Sequence, residues 1–423
     1  MDRAVLRLLR TSRAFRGASA RSSSGRLVEP VALRFRPQNL RNFVAASRAV
    51  RRYAMRREFK DHPRSGTLGI NTIIMAILPV SNLCFGTMTF GEQNSYDEAC
   101  SLLNLAVDSG INFFDAAEMY PVPQQAKTQG LSEVYLGKWM KQAQIPRDRL
   151  VVATKAAGPS GQMTWIRGGP VSLDAKNIEE AINGSLTRLG CDYIDLYQLH
   201  WPDRYVPMFG HIDYNPAASY FAVAIEEQLT ALGRAVEAGK IRHVGVSNET
   251  AFGVMECCRH ASTNPALPRI VTIQNAYSLL CRTFDSTLAE CCHHEQVSLL
   301  AYSPLAMGLL SGKYMSADGG SKDARLNLYK GRYAEAECRY NFSKPNLMPA
   351  VSAYIEIARK YGISPVALAI GFVLQHPLLM SAVIGATKVV QLKEILQALE
   401  VKITDEIRSE IDAIHQRYPS PAP

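Results

Sequence analysis

The sequence predicts an α/β fold, a closed (β/α)8 TIM barrel over residues 59–423, behind a leader over 1–58 that is expected to be disordered. Three observations predict it. From about residue 78, short β-branched or aromatic runs alternate with amphipathic helical stretches. The runs number eight, the count that closes such a barrel. Nearly all of them end in polar residues, and the strand ends are where barrels of this kind gather their chemistry.

In order, the runs are LCFGTM (83–88), INFFDAA (111–117), LVVATKAA (150–157), YIDLYQLH (193–200), IRHVGVSN (241–248), IVTIQNAY (270–277), VSLLAYSPL (297–305) and MSAVIGA (380–386). Helical patterns lie between them: YDEACSLLNLAVDSG, LSEVYLGKWMKQ, AKNIEEAINGSLTRLG and AIEEQLTALGRAVEAGK. Three of these close on Gly or Gly-Lys, a helix stop signal. A last helix, TDEIRSEIDAIHQRY, follows the eighth run. The alternative is a doubly wound open sheet, which usually carries GxGxxG after its first strand. Here that turn reads GTMTFGEQ. Two connections are long, 201–219 and 311–346, and long loops on this face of a barrel shape pockets.

The chain has 423 residues and a formal charge of +9. Such a charge can mark a nucleic-acid partner, but its distribution argues against one. Residues 1–60 carry a net +13, and the rest of the chain −4. The leader, MDRAVLRLLRTSRAFRGASARSSSGR at its start, is rich in Arg, Ser and Ala and nearly free of acid. It reads as an organelle transit peptide. Arg3, Arg7 and Arg10 among Val5, Leu6, Leu8 and Leu9 suit a mitochondrial signal; the Ser-rich stretch is also seen in plastid leaders. The other reading is a disordered basic tail that stays attached, or binds nucleic acid. No apolar run reaches the roughly 20 residues of a membrane span, so no membrane partner is expected. The nine Cys form no CxxC framework. The doublets Cys257-Cys258 and Cys291-Cys292, the latter followed by His293-His294, are poor metal sites, because adjacent helical residues diverge by about 100°. No metal is expected.

The strand ends carry the functional reading. Run two ends in Asp115 and run three carries Lys155. Run four ends in His200, run five in Ser247-Asn248. Run six carries Gln274, run seven Tyr302-Ser303, and run eight leads into Gly385-Ala386-Thr387-Lys388. Tyr120 follows Asp115 by five residues. A phenol with a reference pKa near 10 is a poor acid at neutral pH. An ammonium beside it favours the phenolate. Lys155 can supply that charge, Asp115 can neutralise Lys155, and His200 can orient a carbonyl oxygen or relay a proton. Together they make a Tyr tuned to protonate an oxygen as negative charge builds on it. Taken singly, Asp115 could cap a loop, Tyr120 could be a packed aromatic, Lys155 a rim salt bridge and His200 a core histidine.

The stretches GINFFDAAEMY, LVVATKAAG, DYIDLYQLHWPD, GKIRHVGVSNET, TIQNAYSLL, LLAYSPLAMGLLSGKY and VIGATKVVQLKE resemble the aldo-keto reductase family, and most of all its bacterial Tas-type branch. The resemblance covers residues 78–423. It implies a barrel that reduces aldehydes or ketones with NADPH. The family's tetrad falls on Asp115, Tyr120, Lys155 and His200, with Tyr120 the proton donor. By the same resemblance Ser247, Asn248 and Gln274 hold the nicotinamide carboxamide and Tyr302 stacks on its ring. Ser303, Leu305, Gly308 and Lys313 embrace the pyrophosphate. Gly385, Ala386, Thr387, Lys388, Gln391 and Glu394 bind the adenosine and its 2′-phosphate. A cation at Lys388 suits a phosphate, and no acid stands at that turn to grip a bare ribose. Three departures stand out: Ile395 where the family has Asn, the stretch GTLGINTIIMAI (66–77), and the leader.

The partner expected is a small-molecule carbonyl compound. Trp201, Tyr205, Phe209 and Tyr214 suggest an aromatic-lined pocket for it, or in part rings that simply anchor their loop. Two other classes fit the same residues. One is an NADPH-binding regulatory subunit that senses redox state with little turnover. The other is a barrel enzyme without nicotinamide that uses Lys155 as a Schiff base. Oligomeric state and the identity of the substrate are not read from these residues.

Overall fold

The computed structural model of the chain describes residues 78–423. The leader at 1–58, and residues 59–77 with the GTLGINTIIMAI stretch, lie outside the described residues. All eight runs form strands, each shorter than its run. In chain order the elements are β1 (Leu83–Gly86), α1 (Tyr96–Asp108), β2 (Phe113–Asp115), α2 (Leu131–Ala143), β3 (Val151–Ala156), α3 (Ala175–Leu189) and β4 (Ile194–Leu199). Then come α4 (Ile225–Glu237), β5 (Ile241–Ser247), α5 (Ala251–Thr263), β6 (Ile270–Ala276), α6 (Thr283–Glu295) and β7 (Ser298–Tyr302). Two short helices follow, α7 (Arg325–Leu328) and α8 (Ala334–Tyr340). The chain closes with α9 (Leu347–Lys360), α10 (Pro365–Leu374), β8 (Leu379–Ile384), α11 (Val389–Gln397) and α12 (Asp405–Arg417). The strands form one closed barrel in sequence order, and every neighbouring pair is parallel, including β1 with β8.

Local chemistry sets the helix ends. Ser95 caps α1 and receives Glu98 in return, a reciprocal capping box that satisfies two amide donors. Asp174 caps α3, and the left-handed Gly190 ends it. Ser364 followed by Pro365 opens α10, where the missing proline N–H costs nothing. One interior glycine sets the helix ring: a Cβ on Gly137 of α2 would sit 2.3 Å from the Leu189 carbonyl oxygen at the end of α3.

The strand periodicity also builds the site. Successive side chains point to opposite faces of a strand. Phe113, Val151, Ala153, Leu196 and Leu300 pack together inside the barrel. Phe114, Val152, Tyr197 and Leu299 pack in the layer under the helices. Two residues beyond Phe113, Ala153, Leu196 and Leu300 stand Asp115, Lys155, Gln198 and Tyr302. The face that fills the barrel therefore delivers these four polar groups to its C-terminal mouth.

Candidate active site

Asp115 and Lys155 form a buried ion pair at the ends of β2 and β3. Lys155 is fully buried and also donates to the Ala116 carbonyl at 2.9 Å. The second carboxylate oxygen of Asp115 accepts from Gln198 Nε2 at 3.1 Å and from Gln274 Nε2 at 3.0 Å. Both charges are thus compensated and hydrogen-bonded, which is what a buried pair requires. Above them, Lys155 Nζ lies 5.0 Å from the centroid of the Tyr120 ring. The His200 ring meets Tyr120 edge-on, with centroids 5.5 Å apart. The tetrad predicted from the sequence is therefore one cluster.

The titration of two members differs from a simple reading of the charges. Burial pushes the Tyr120 phenol up, with Asp115 adding to the effect and Arg325 opposing it. The expectation that Lys155 would pull the phenol down is corrected here. The lysine charge is already matched by Asp115, and loss of water outweighs it. Tyr120 stays a protonated phenol until charge develops on a neighbour. Burial, then Lys155, hold His200 well below the ordinary imidazole range. The ring is therefore held in its neutral form near pH 7.

The loop that carries Tyr120 is tied down on three sides. The Glu118 carboxylate is buried, accepts from the Ala157 amide at 2.6 Å and pairs with Arg167. Val122 N–H donates to the Met88 carbonyl at 3.1 Å, and Gly130 N–H to the Tyr120 carbonyl at 2.9 Å. Glu118 lies within NFFDAAEMY, yet nothing in its sequence position marks Arg167, 49 residues away, as its partner.

One cavity of about 500 Å³ opens above this cluster. Asp115, Tyr120 and His200 line it, and so do all of Ser247, Asn248, Gln274, Tyr302, Ser303, Leu305, Gly308, Lys313, Gly385, Ala386, Thr387, Lys388, Gln391 and Glu394. Lys155 does not line it; its amine is spent on Asp115 and Ala116 beneath the phenol. That placement argues against a Schiff-base role. Several lining residues hold one another. Ser247 Oγ donates to the Gln274 carbonyl at 2.7 Å. Asn248 Nδ2 donates to the His200 carbonyl at 2.9 Å, and Asn248 Oδ1 accepts from the Tyr302 hydroxyl at 2.7 Å. Gln391 Oε1 accepts from Thr387 N–H at 2.9 Å and fixes the turn that opens α11.

Part of the cavity wall is cationic. Lys313, Arg325 and Lys388 all line it, and none is in an ion pair among the described residues. Burial pushes the Lys313 amine down, and Arg325 and Lys388 push it further. Gly308, at φ +91°, leaves room for the lysine: a Cβ there would meet Lys313 Cε at 2.4 Å. Ile395 lines the same cavity with an apolar wall. Sequence reasoning missed Arg325, because it stands in the long 311–346 connection, which has no strand or helix period to place it.

Met88, Met119, Trp201, Phe209, Tyr333, Glu335 and Arg339 also line the cavity. Tyr205 and Tyr214, expected beside Trp201 and Phe209, do not line it. They pack on each other, centroids 5.6 Å apart, and Tyr214 is exposed. Burial holds the Glu335 carboxyl up at about 7, with Arg339 opposing. The folded value lies above the ordinary carboxyl value of about 4.5, so the carboxylate form is disfavoured in the fold. The cost is absent below that lower value, grows as pH rises through the window and is full above about 7. At most about 3 kcal/mol is involved, and less for the partial exposure of this side chain. Glu335→Gln is therefore expected to raise Tm by a few degrees at about pH 8 and by nothing at about pH 4. Thermal melts at both values check this; an equal gain at each would assign the effect to packing.

The barrel and its buried tetrad define an oxidoreductase class once set beside known proteins. The aldo/keto reductase family model matches residues 82–416, and the chain belongs to that family. It is 45% identical to protein Tas of Escherichia coli (strain K12) over 346 residues, 82% of this chain and 97% of that protein. It is 37% identical to an aldo-keto reductase of Babesia bovis, over 64% of this chain and 98% of that one. The uncharacterized oxidoreductase YrpG of Bacillus subtilis (strain 168) is 29% identical over 81% of this chain and 94% of its own length.

Proposed function

We propose that this oxidoreductase reduces an aldehyde or ketone with NADPH, using Tyr120 as proton donor. One observation carries the reading. A single cavity is lined both by the Tyr120 phenol, packed against Lys155 and His200, and by three cations that have no ion-pair partner among the described residues. The residues fit a dinucleotide with an extra phosphate: Lys313, Arg325 and Lys388 suit a polyanion, and the Thr387–Gln391 turn presents the amino end of α11 beside them. Bound there, reduced nicotinamide supplies a hydride to the carbonyl carbon. Tyr120 gives its hydroxyl proton to the carbonyl oxygen, and the Lys155 charge stabilises the phenolate left behind. Neutral His200 donates a hydrogen bond to that oxygen and fixes its direction. Trp201, Phe209, Met88 and Met119 exclude water and favour a planar apolar substrate. The Arg- and Ser-rich leader supports delivery to a plastid or mitochondrion.

The test is coenzyme choice. Lys388→Ala is expected to lower kcat/KM for NADPH about 10- to 100-fold, the worth of a charge-assisted contact to phosphate, and to change NADH little. Steady-state rates with both coenzymes and a panel of aromatic aldehydes and quinones check it. Equal losses with both would remove the 2′-phosphate assignment. Tight NADPH binding without turnover of any carbonyl would favour a regulatory subunit.

A further inference from the structure

Arg339 has no place in the chemistry above, yet it is among the most buried charges in the described residues, 4% exposed at the cavity wall. Burying a guanidinium costs several kcal/mol unless its donors are met. No Asp or Glu side chain lies within ion-pair distance of it among the described residues. Its partners are of another kind. Arg339 Nη1 donates to the Tyr302 hydroxyl at 3.4 Å, and Nε donates to the main-chain oxygen of Pro423 at 3.2 Å. The guanidinium carbon lies 5.5 Å from the Tyr302 ring centroid and 5.2 Å from that of Tyr340. Segment 420–423 is itself pinned: Ala422 is fully buried and its N–H donates to the Leu280 carbonyl at 3.0 Å, while Ser420 Oγ accepts from Arg282 N–H at 3.0 Å. The guanidinium therefore bridges a fixed chain segment and one aromatic ring.

From Tyr302 the contacts continue. Its hydroxyl donates to Asn248 Oδ1 at 2.7 Å, and Asn248 Nδ2 donates to the His200 carbonyl at 2.9 Å. A line of hydrogen bonds thus runs from segment 420–423 through Arg339, Tyr302 and Asn248 to the residue that bears the imidazole. A phenol held at both its oxygen and its face has one orientation.

We propose that Arg339 is a positioning residue that fixes the Tyr302 ring as the platform for the nicotinamide. This rests on the NADPH reading above. It predicts a defect confined to the nicotinamide half of the coenzyme. In fluorescence titrations, Arg339→Met is expected to weaken NADPH binding about 10-fold while leaving binding of 2′,5′-ADP, which lacks nicotinamide, unchanged. Tyr302→Phe keeps the ring but removes the hydroxyl. It should show a smaller loss of the same kind, and adding it to Arg339→Met should cost little more. Arg339→Lys, with a donor but no fork, should fall between parent and Arg339→Met. It serves as the test variant if Arg339→Met does not fold. Unchanged NADPH affinity in the Arg339 variants would overturn the proposal, and so would equal losses for NADPH and 2′,5′-ADP, which mean a general structural role. Failure of the parent itself to bind NADPH would instead sink the coenzyme reading on which the proposal rests.

Discussion

Tyr120→Phe is expected to lower kcat by about 10²- to 10⁴-fold, the usual worth of a positioned general acid, with NADPH affinity and Tm close to those of the parent. The fold should tolerate the change. A phenyl ring fills the same space, and the Tyr120 hydroxyl faces the cavity, so no buried partner is orphaned. The chemistry should not. His200 cannot stand in, because burial and Lys155 keep its imidazole neutral near pH 7. Lys155 cannot either, since its amine is held by Asp115 and the Ala116 carbonyl and does not reach the cavity. Single-turnover rates with a fixed aldehyde, alongside coenzyme titrations, separate the proton step from binding. A variant retaining a third or more of parental kcat would move the proton source to water or to another group, with Glu335 the first to examine.

Much of this site was legible because strand chemistry repeats every two residues. Asp115, Lys155 and Tyr302 are each two residues past an apolar residue of the barrel interior, and their runs announce themselves by β-branched and aromatic content. The turn at Gly385–Lys388 was legible for a related reason: it follows the last strand directly and opens a helix. The barrel itself followed from eight such runs, and all eight became strands.

The remainder was not legible, for physical reasons that differ by residue. Arg325, Glu335 and Arg339 lie in a connection whose short helices are set by tertiary packing, and no sequence period points them at the cavity. Gln198 stands level with Lys155 on the neighbouring strand, but a neutral amide carries no charge to mark it; its bond to Asp115 gives it a role. The Glu118–Arg167 pair joins a loop to a turn that sequence cannot bring together. Tyr120 lies beside Lys155 and His200 at the cavity, but charge alone does not give its titration. Desolvation depends on burial, which no spacing reveals. Tyr205 and Tyr214 follow the other reading open to loop aromatics: they anchor their own loop by packing on each other, and composition does not tell the two cases apart.

Lys155→Met carries the largest stability effect expected in the molecule. The methionine keeps the apolar stem and removes the ammonium, so the Asp115 carboxylate remains in the barrel mouth without its cation. Breaking a buried pair in this way typically costs about 3–5 kcal/mol, more than the pair contributes relative to an uncharged substitute. Gln198 and Gln274 still donate to one carboxylate oxygen, but amide donors do not replace a full charge. The double variant Asp115→Asn, Lys155→Met should therefore be more stable than Lys155→Met alone, because it leaves no unpaired ion. Urea unfolding of the parent, the two single variants and the double variant gives the coupling directly. Recovery of about 1 kcal/mol or more in the double variant would identify the cost as that of the orphaned carboxylate. A double variant that is simply the sum of the singles would instead mean that the two charges are solvated separately. The same set of proteins bears on catalysis. If Lys155 matters by stabilising the Tyr120 phenolate, the double variant should regain stability without regaining turnover.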